Sequence, residues 1–278
     1  MSTILEPPNS PYLPERRYPL FDFAYCPNFS EMLMQLAKKA APEPWDFRNR
    51  SNLEQPLPIL YRYIHHTFKR IKEESDSPPD KGGPTKIAIS GDYACFNTGL
   101  FSEHYEQIYA LFSKNRMLGR QEWYMVGFFK ESERDLNRFF PLPVRAEYLS
   151  NISDLVYDYR LDIRAHMDHI FDEQDNILRF PEKYHGNEHR TALITAFSGA
   201  LAVVKKRVAA NYKLAVPQYY EGQVQLLLPM CLDGDNPDVA LVIYRDNQVY
   251  QAKTCLTLDM AYNNSRLLAK PQSDWLQP

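Results

Sequence analysis

A chain of 278 residues, 44% hydrophobic and 24% charged, is long enough for one large core or two smaller ones and lies in the globular range. A net charge of −3 excludes a global field that draws in nucleic acid or an anionic membrane, so any polyanionic partner must meet a local patch. Ten glycines against 21 prolines leave little material for glycine-rich phosphate loops, and the longest apolar runs fall short of the ~20 residues a membrane span needs.

Residues 1–20 hold five prolines and no secretory signal, and we expect an extended arm over 1–27. From Asn28 onward the chain reads as a single α+β domain, 28–278. In NFSEMLMQLAKKA, Met32, Leu33, Leu36 and Ala37 recur at helical spacing with Ser30 as the expected N-cap. PLPILYRYIHHTFKRIKEE repeats the signal through Leu60, Ile64, Phe68 and Ile71. The breaker-rich stretch SDSPPDKGGP predicts a flexible loop at 75–85.

KIAIS and YACFNTGL predict strands, followed by a helix over SEHYEQIYALFSKN and a further strand, EWYMVGFFK. LVYDYRLDI alternates as a strand that sets Asp158 and Arg160 on one face, where they form a salt bridge. NEHRTALITAFSGALAVVKKRVAANYK is apolar almost all round until Lys205 and predicts a long, buried central helix. QVQLLLPMCL, DVALVIYRD and QVYQAKTCLTL follow as an antiparallel meander, and a last helix starts at Asp259. The class is therefore α+β, a C-terminal antiparallel meander packed against several helices, one of them long and buried. No internal repeat is visible. Cys26, Cys95, Cys231 and Cys255 are widely spaced without a CxxC pair, which reads as free thiols in a cytoplasmic protein.

Four constellations carry chemistry. In LTLDMAYNNSRLL, the expected buried stripe is Met260, Ala261, Asn264, Leu267 and Leu268, with Tyr262, Asn263 and Arg266 on an adjoining face. Two amides, a phenol and a guanidinium can bind a phosphate or a base edge, and can equally tie elements together. Asn97 and Thr98, followed by Gly99, stand at a strand end where ligands commonly sit. In DYRLDIRAHMDHIF, a helix from Asp162 would align Asp162, His166 and His169 for a metal or for acid–base work. Gln218, Tyr219 and Tyr220, with KKR and Lys213 upstream, suit single-stranded nucleic acid, whose bases stack on rings and whose phosphates meet cations.

FNTGL, the segment from DYRL to DHI, VPQYYEGQVQLLLP and LTLDMAYNNSRLLAKPQSDWL occur in an order that resembles an uncharacterised microbial domain family. That domain stands alone or beside cold-shock and other RNA-binding modules, and the likeness runs from Phe21 to Leu276. The resemblance implies an RNA-linked role and supplies no reaction or cofactor. Its motifs fall on Asn97, Thr98, Gly99, Asp158, Arg160, Asp168, His169, Gln218, Tyr219, Asp259, Tyr262, Asn263, Asn264 and Arg266.

The leading expectation is an RNA- or nucleotide-binding protein, without a membrane partner. Asn97, Thr98, Arg160, Gln218, Tyr219, Tyr262, Asn263, Asn264 and Arg266 would form its polar site, with Arg160 and Arg266 on phosphate and the amides on a base or ribose. His169 and Asp158 are the catalytic residues if it acts on a phosphoester. The alternatives are a metal-dependent hydrolase centred on Asp162, His166 and His169, and a non-catalytic interaction module.

Overall fold

Helical periodicity and the pleat of apolar runs place most elements, and the computed structural model describes residues 18–47, 55–76, 85–172 and 174–278. The first half contains α1 (Pro19–Phe23), β1 (Ala24–Tyr25), α2 (Phe29–Lys39), α3 (Pro58–Asp76), β2 (Ile87–Ser90), β3 (Tyr93–Phe101), β4 (Gln107–Lys114) and β5 (Trp123–Lys130). The second contains β6 (Asp162–Ala165), α4 (Met167–Asp172), α5 (Gln174–Ile177), α6 (Arg190–Ala210), β7 (Val216–Tyr220), β8 (Gln223–Met230), β9 (Val239–Asp246), β10 (Val249–Leu256) and α7 (Leu258–Leu268). Helices pack on two mostly antiparallel sheets, an α+β fold.

The sheets share one topology. The strand orders are β1-β5-β4-β3-β2 and β6-β10-β9-β8-β7, so each is a four-stranded meander whose last strand takes an earlier one in parallel. Ala24 faces Trp123 in the first sheet, and Val249 to Ala252 face Asp162 to Ala165 in the second. This repeat is absent from the residues because backbone ladders and layer packing constrain connectivity far more than side-chain identity. Helix α7 has no counterpart in the first half.

Four strand residues show how the layers arise. Along β9, Ala240 and Val242 enter the core shared with α3, α7 and the first sheet, whereas Leu241 and Ile243 face the core under α6. A strand buried on both faces reads as a continuous apolar run rather than an alternating one. The order of layers is α6 with α4, the second sheet, α7 with α3 and α2, the first sheet, and finally residues 134–142. That last segment covers Cys95, Tyr109 and Leu111 with Leu136 and Phe139.

Several expectations are corrected. Residues 102–115 form the tip of a hairpin and β4, not a helix. QIYALF carries helical spacing, yet it sits centrally between β3 and β5, where both faces are covered. LVYDYRLDI yields a short 3-10 turn at Ile152–Leu155 and then β6, and the helix begins at Met167 rather than near Asp162. Helix α6 has the expected extent, but buries only the stripe Leu193, Phe197, Ala200, Val204 and Val208. Gly199, Ala202 and Ala209 are exposed, because small residues raise the apolar count of a helix without needing a core. Asn28, not Ser30, precedes α2. Residues 18–27 of the expected arm fold into α1 and β1 and bury Leu20 and Ala24; residues 1–17, like 77–84 of the expected loop, lie outside the described residues. No helix among the described residues is long and apolar enough to cross a membrane.

Candidate functional site

Helix α7 is capped by Thr257, whose hydroxyl accepts the Met260 amide at 3.3 Å, two residues before the expected cap Asp259. Strand β7 covers one side of the helix and α3 another, so the buried arc is wide. It holds Ala261, Tyr262, Asn263, Ser265 and Leu267, and Asn264 is only half-buried. The adjoining face that the sequence set aside is thus the more enclosed one.

The motif residues of α7 find partners across the two halves. Arg266 forks onto Glu43, Nε to Oε1 at 2.7 Å and Nη2 to Oε2 at 3.1 Å. The guanidinium also lies 4.6 Å from the Tyr63 ring centroid and 5.3 Å from that of Trp45. With side-chain exposures of 11% and 9%, this is a buried pair whose bidentate geometry and ring contacts offset desolvation. The fork expected to hold phosphate is therefore engaged by Glu43. Asn264 Nδ2 donates to Gln218 Oε1 at 3.2 Å, and Gln218 Nε2 donates to Gln225 Oε1 at 2.8 Å, so two predicted ligand residues bond each other. Tyr219 packs edge-on against Tyr148 at 4.8 Å with Arg70 over its ring. Tyr262 is fully buried against Phe47. Asn263 is the exception: among the described residues, neither its amide nitrogen nor its oxygen has a hydrogen-bond partner, although the residue is 7% exposed.

Tyr63 carries the contact from α7 to β3. Its hydroxyl donates to the Thr98 carbonyl at 3.0 Å. At this point β3 loses register with β4 between Asn97 and Phe101, a bulge that re-aims side chains. Gly99 has φ +75°, and a Cβ there would stand 2.8 Å from the Tyr63 hydroxyl, so glycine fits on both counts. Thr98 Oγ1 donates to the Ile108 carbonyl at 2.6 Å and accepts the Leu100 amide, sealing the inner face. Asn97 is turned to the opposite face, where Nδ2 donates to Gln107 Oε1 at 2.7 Å and to the Pro143 carbonyl at 3.4 Å.

Above that amide pair lies a cavity of about 470 Å³ lined by Phe101, Gln107, Tyr109, Glu131, Leu142, Pro143, Val144 and Arg145. Its size suits a small ligand. Phe101 is 38% exposed, so its ring face is available. Gln107 accepts from Asn97 through its oxygen, which fixes the amide and presents its NH₂ as a donor to a ligand. Burial, followed by the charge of Glu131, raises the Tyr109 phenol to about 12, so it stays protonated.

Asp158, Arg160 and His169 lie elsewhere. Arg160 clamps Asp158 through Nε and Nη2, both at 2.8 Å, and donates its backbone amide to the same carboxylate at 3.1 Å. The expected salt bridge is present, on a turn rather than a strand. The Arg160 bonds hold Asp158 down to about 2, which makes it a weak base at neutral pH. These residues precede β6 or, like His169, lie just after it on α4; Gln218 lies on β7, the opposite edge of the sheet. Four inter-strand steps of ~4.8 Å separate those edges by roughly 19 Å. Asp162 sits on β6 bonded to Lys205, and His166 bonds Gln251, so the one-face metal arrangement fails along with its helix. Among the described residues, no group of three or more metal-ligating side chains forms a cation site.

Glu43, Trp45, Tyr63, Gln107, Glu131 and Arg145 had drawn no attention in the sequence. Glu43 and Arg266 are 223 residues apart, and no local pattern announces such a pair. No curated protein and no solved structure matches the chain. The model of the family described as Domain of unknown function (DUF3825) matches residues 36–275, a span that includes α7, the bulge of β3 and the cavity, and the chain belongs to that family.

Proposed function

We propose that the protein binds a nucleobase, presented by a nucleotide or by single-stranded RNA, in the cavity beside Asn97. One observation carries the reading: an open cavity of about 470 Å³ combines the half-exposed ring of Phe101 with the directed NH₂ of Gln107 and the guanidinium of Arg145. Bases stack on aromatic faces at a gain of ~1–3 kcal/mol each, amide groups read base edges, and a guanidinium meets either an edge or a phosphate. RNA as a source of the base rests on the expectation from the sequence that the family stands beside RNA-binding modules. A cytoplasmic location belongs to the same reading, since the four cysteines are free and a reducing compartment keeps them so.

Isothermal titration of the full chain with nucleoside monophosphates and with short oligoribonucleotides tests this. Binding is expected to weaken about tenfold or more in Phe101→Ala and in Arg145→Ala, at unchanged melting temperature. Affinity that ignores both substitutions would place the base elsewhere and sink the proposal. A stronger response to RNA than to mononucleotides identifies the polymer as the source.

A further inference from the structure

Resting on the nucleobase reading, we infer that the cavity selects guanine. Its free polar side chains supply mainly donors, with one carboxylate as the charged acceptor. Gln107 Oε1 already accepts from Asn97 at 2.7 Å, so its NH₂ is the group left without a bond among the described residues. Arg145 has donors alone, and its side chain makes no hydrogen bond or ion pair among the described residues. The Glu131 carboxylate is an acceptor, likewise without a hydrogen bond or ion pair among the described residues; only its backbone amide is tied, to the Gln107 carbonyl at 2.9 Å. An acid and a guanidinium that line one cavity without pairing to each other are available to one ligand.

The four bases answer this set unequally. A carboxylate has two oxygens and accepts best from two adjacent N–H groups. Guanine alone presents two such donors side by side, N1–H and the 2-amino group, and carries O6 and N7 as acceptors for Arg145 and Gln107. Cytosine and adenine offer a single amino group, and uracil a single ring N–H, so each leaves one carboxylate oxygen without its partner. The apolar side, Phe101 with Leu142, Pro143 and Val144, takes the ring face of any base and contributes little to the choice. Selection thus falls to Glu131, and affinity to Phe101 and Arg145.

The test titrates the full chain with GMP, IMP, AMP, CMP and UMP at one ionic strength, with melting temperatures confirming that each variant folds. GMP is expected to bind about tenfold or more tighter than AMP, CMP or UMP, with IMP, which lacks the 2-amino group, in between. Glu131→Gln should bring GMP down to the level of IMP and leave AMP unchanged. Equal affinity for the five nucleotides, or a preference for another base, overturns guanine selection while leaving the nucleobase reading intact if Arg145→Ala still weakens them. Binding of none of them, or binding indifferent to Glu131 and Arg145 alike, overturns both.

Discussion

Single buried groups in this molecule state their cost in measurable terms. His65 is 1% exposed, and neither ring nitrogen has a hydrogen-bond partner among the described residues. It stacks on Tyr18 at 4.0 Å and meets Phe21, Phe29 and Tyr61 within 5.3 Å. Burial first, then the charge of His66, lowers it from 6.5 to about 3. The unfolded chain therefore takes up a proton near pH 6.5 that the folded chain refuses until about pH 3. Stability from neutral His65 is complete above pH 6.5 and falls with pH through that window, at up to about 1.4 kcal/mol per unit. In His65→Phe this loss is absent, so the gap in melting temperature between the variant and the parent should widen from pH 7 to pH 4. A gap that stays constant would mean that the imidazole is not held neutral. Asn263 makes the complementary case. Its unpartnered amide costs ~1–3 kcal/mol, and a leucine of similar shape removes that cost. Asn263→Leu should raise the melting temperature by a few degrees, about 2–4 °C per kcal/mol in a chain of this size; a fall would show that the amide is satisfied in solution.

At the scale of elements, α7 acts as the tie between two sheets. Its Arg266 is held by Glu43 from the segment after α2, with Tyr63 of α3 under the guanidinium. Removing one partner of a buried pair leaves an uncompensated charge and costs about 3–5 kcal/mol, whereas removing both is far milder. Arg266→Met should accordingly lower stability strongly in a denaturant titration, and Glu43→Leu together with Arg266→Met should restore most of it. If the double substitution is as damaging as the sum of the two single ones, the pair carries no coupling. The element scale is also where local pattern misled. QIYALF was compatible with a helix by spacing, and only its place between two strands made it β4. The apolar surplus of α6 pointed to complete burial, yet half of that surplus is alanine, glycine and their like facing outward.

Across the whole molecule, the two five-stranded sheets of one topology enclose α3 and α7, and the motifs divide into two uses. On α7 and β7, Asn264 bonds Gln218 and Arg266 reaches Glu43 in the first half, while Asn97 on the β3 bulge bonds Gln107 in the wall of the open cavity. The sequence by itself determined the α+β class, α2, α3 and α6, the C-terminal meander and α7, because periodicity of 3.6 or 2 is a local property of the chain. It also singled out Asn97, Asn263, Asn264 and Arg266 as candidate ligand residues. Their partners were decided only by the tertiary structure: Glu43 for Arg266, Gln218 for Asn264, Gln107 for Asn97, and, among the described residues, none for Asn263. So were the topological repeat and the placing of β6 and β7 on opposite edges of one sheet, roughly 19 Å apart. Pairings between distant segments depend on how the layers stack, and stacking is set by summed burial over the whole chain rather than by any stretch of it.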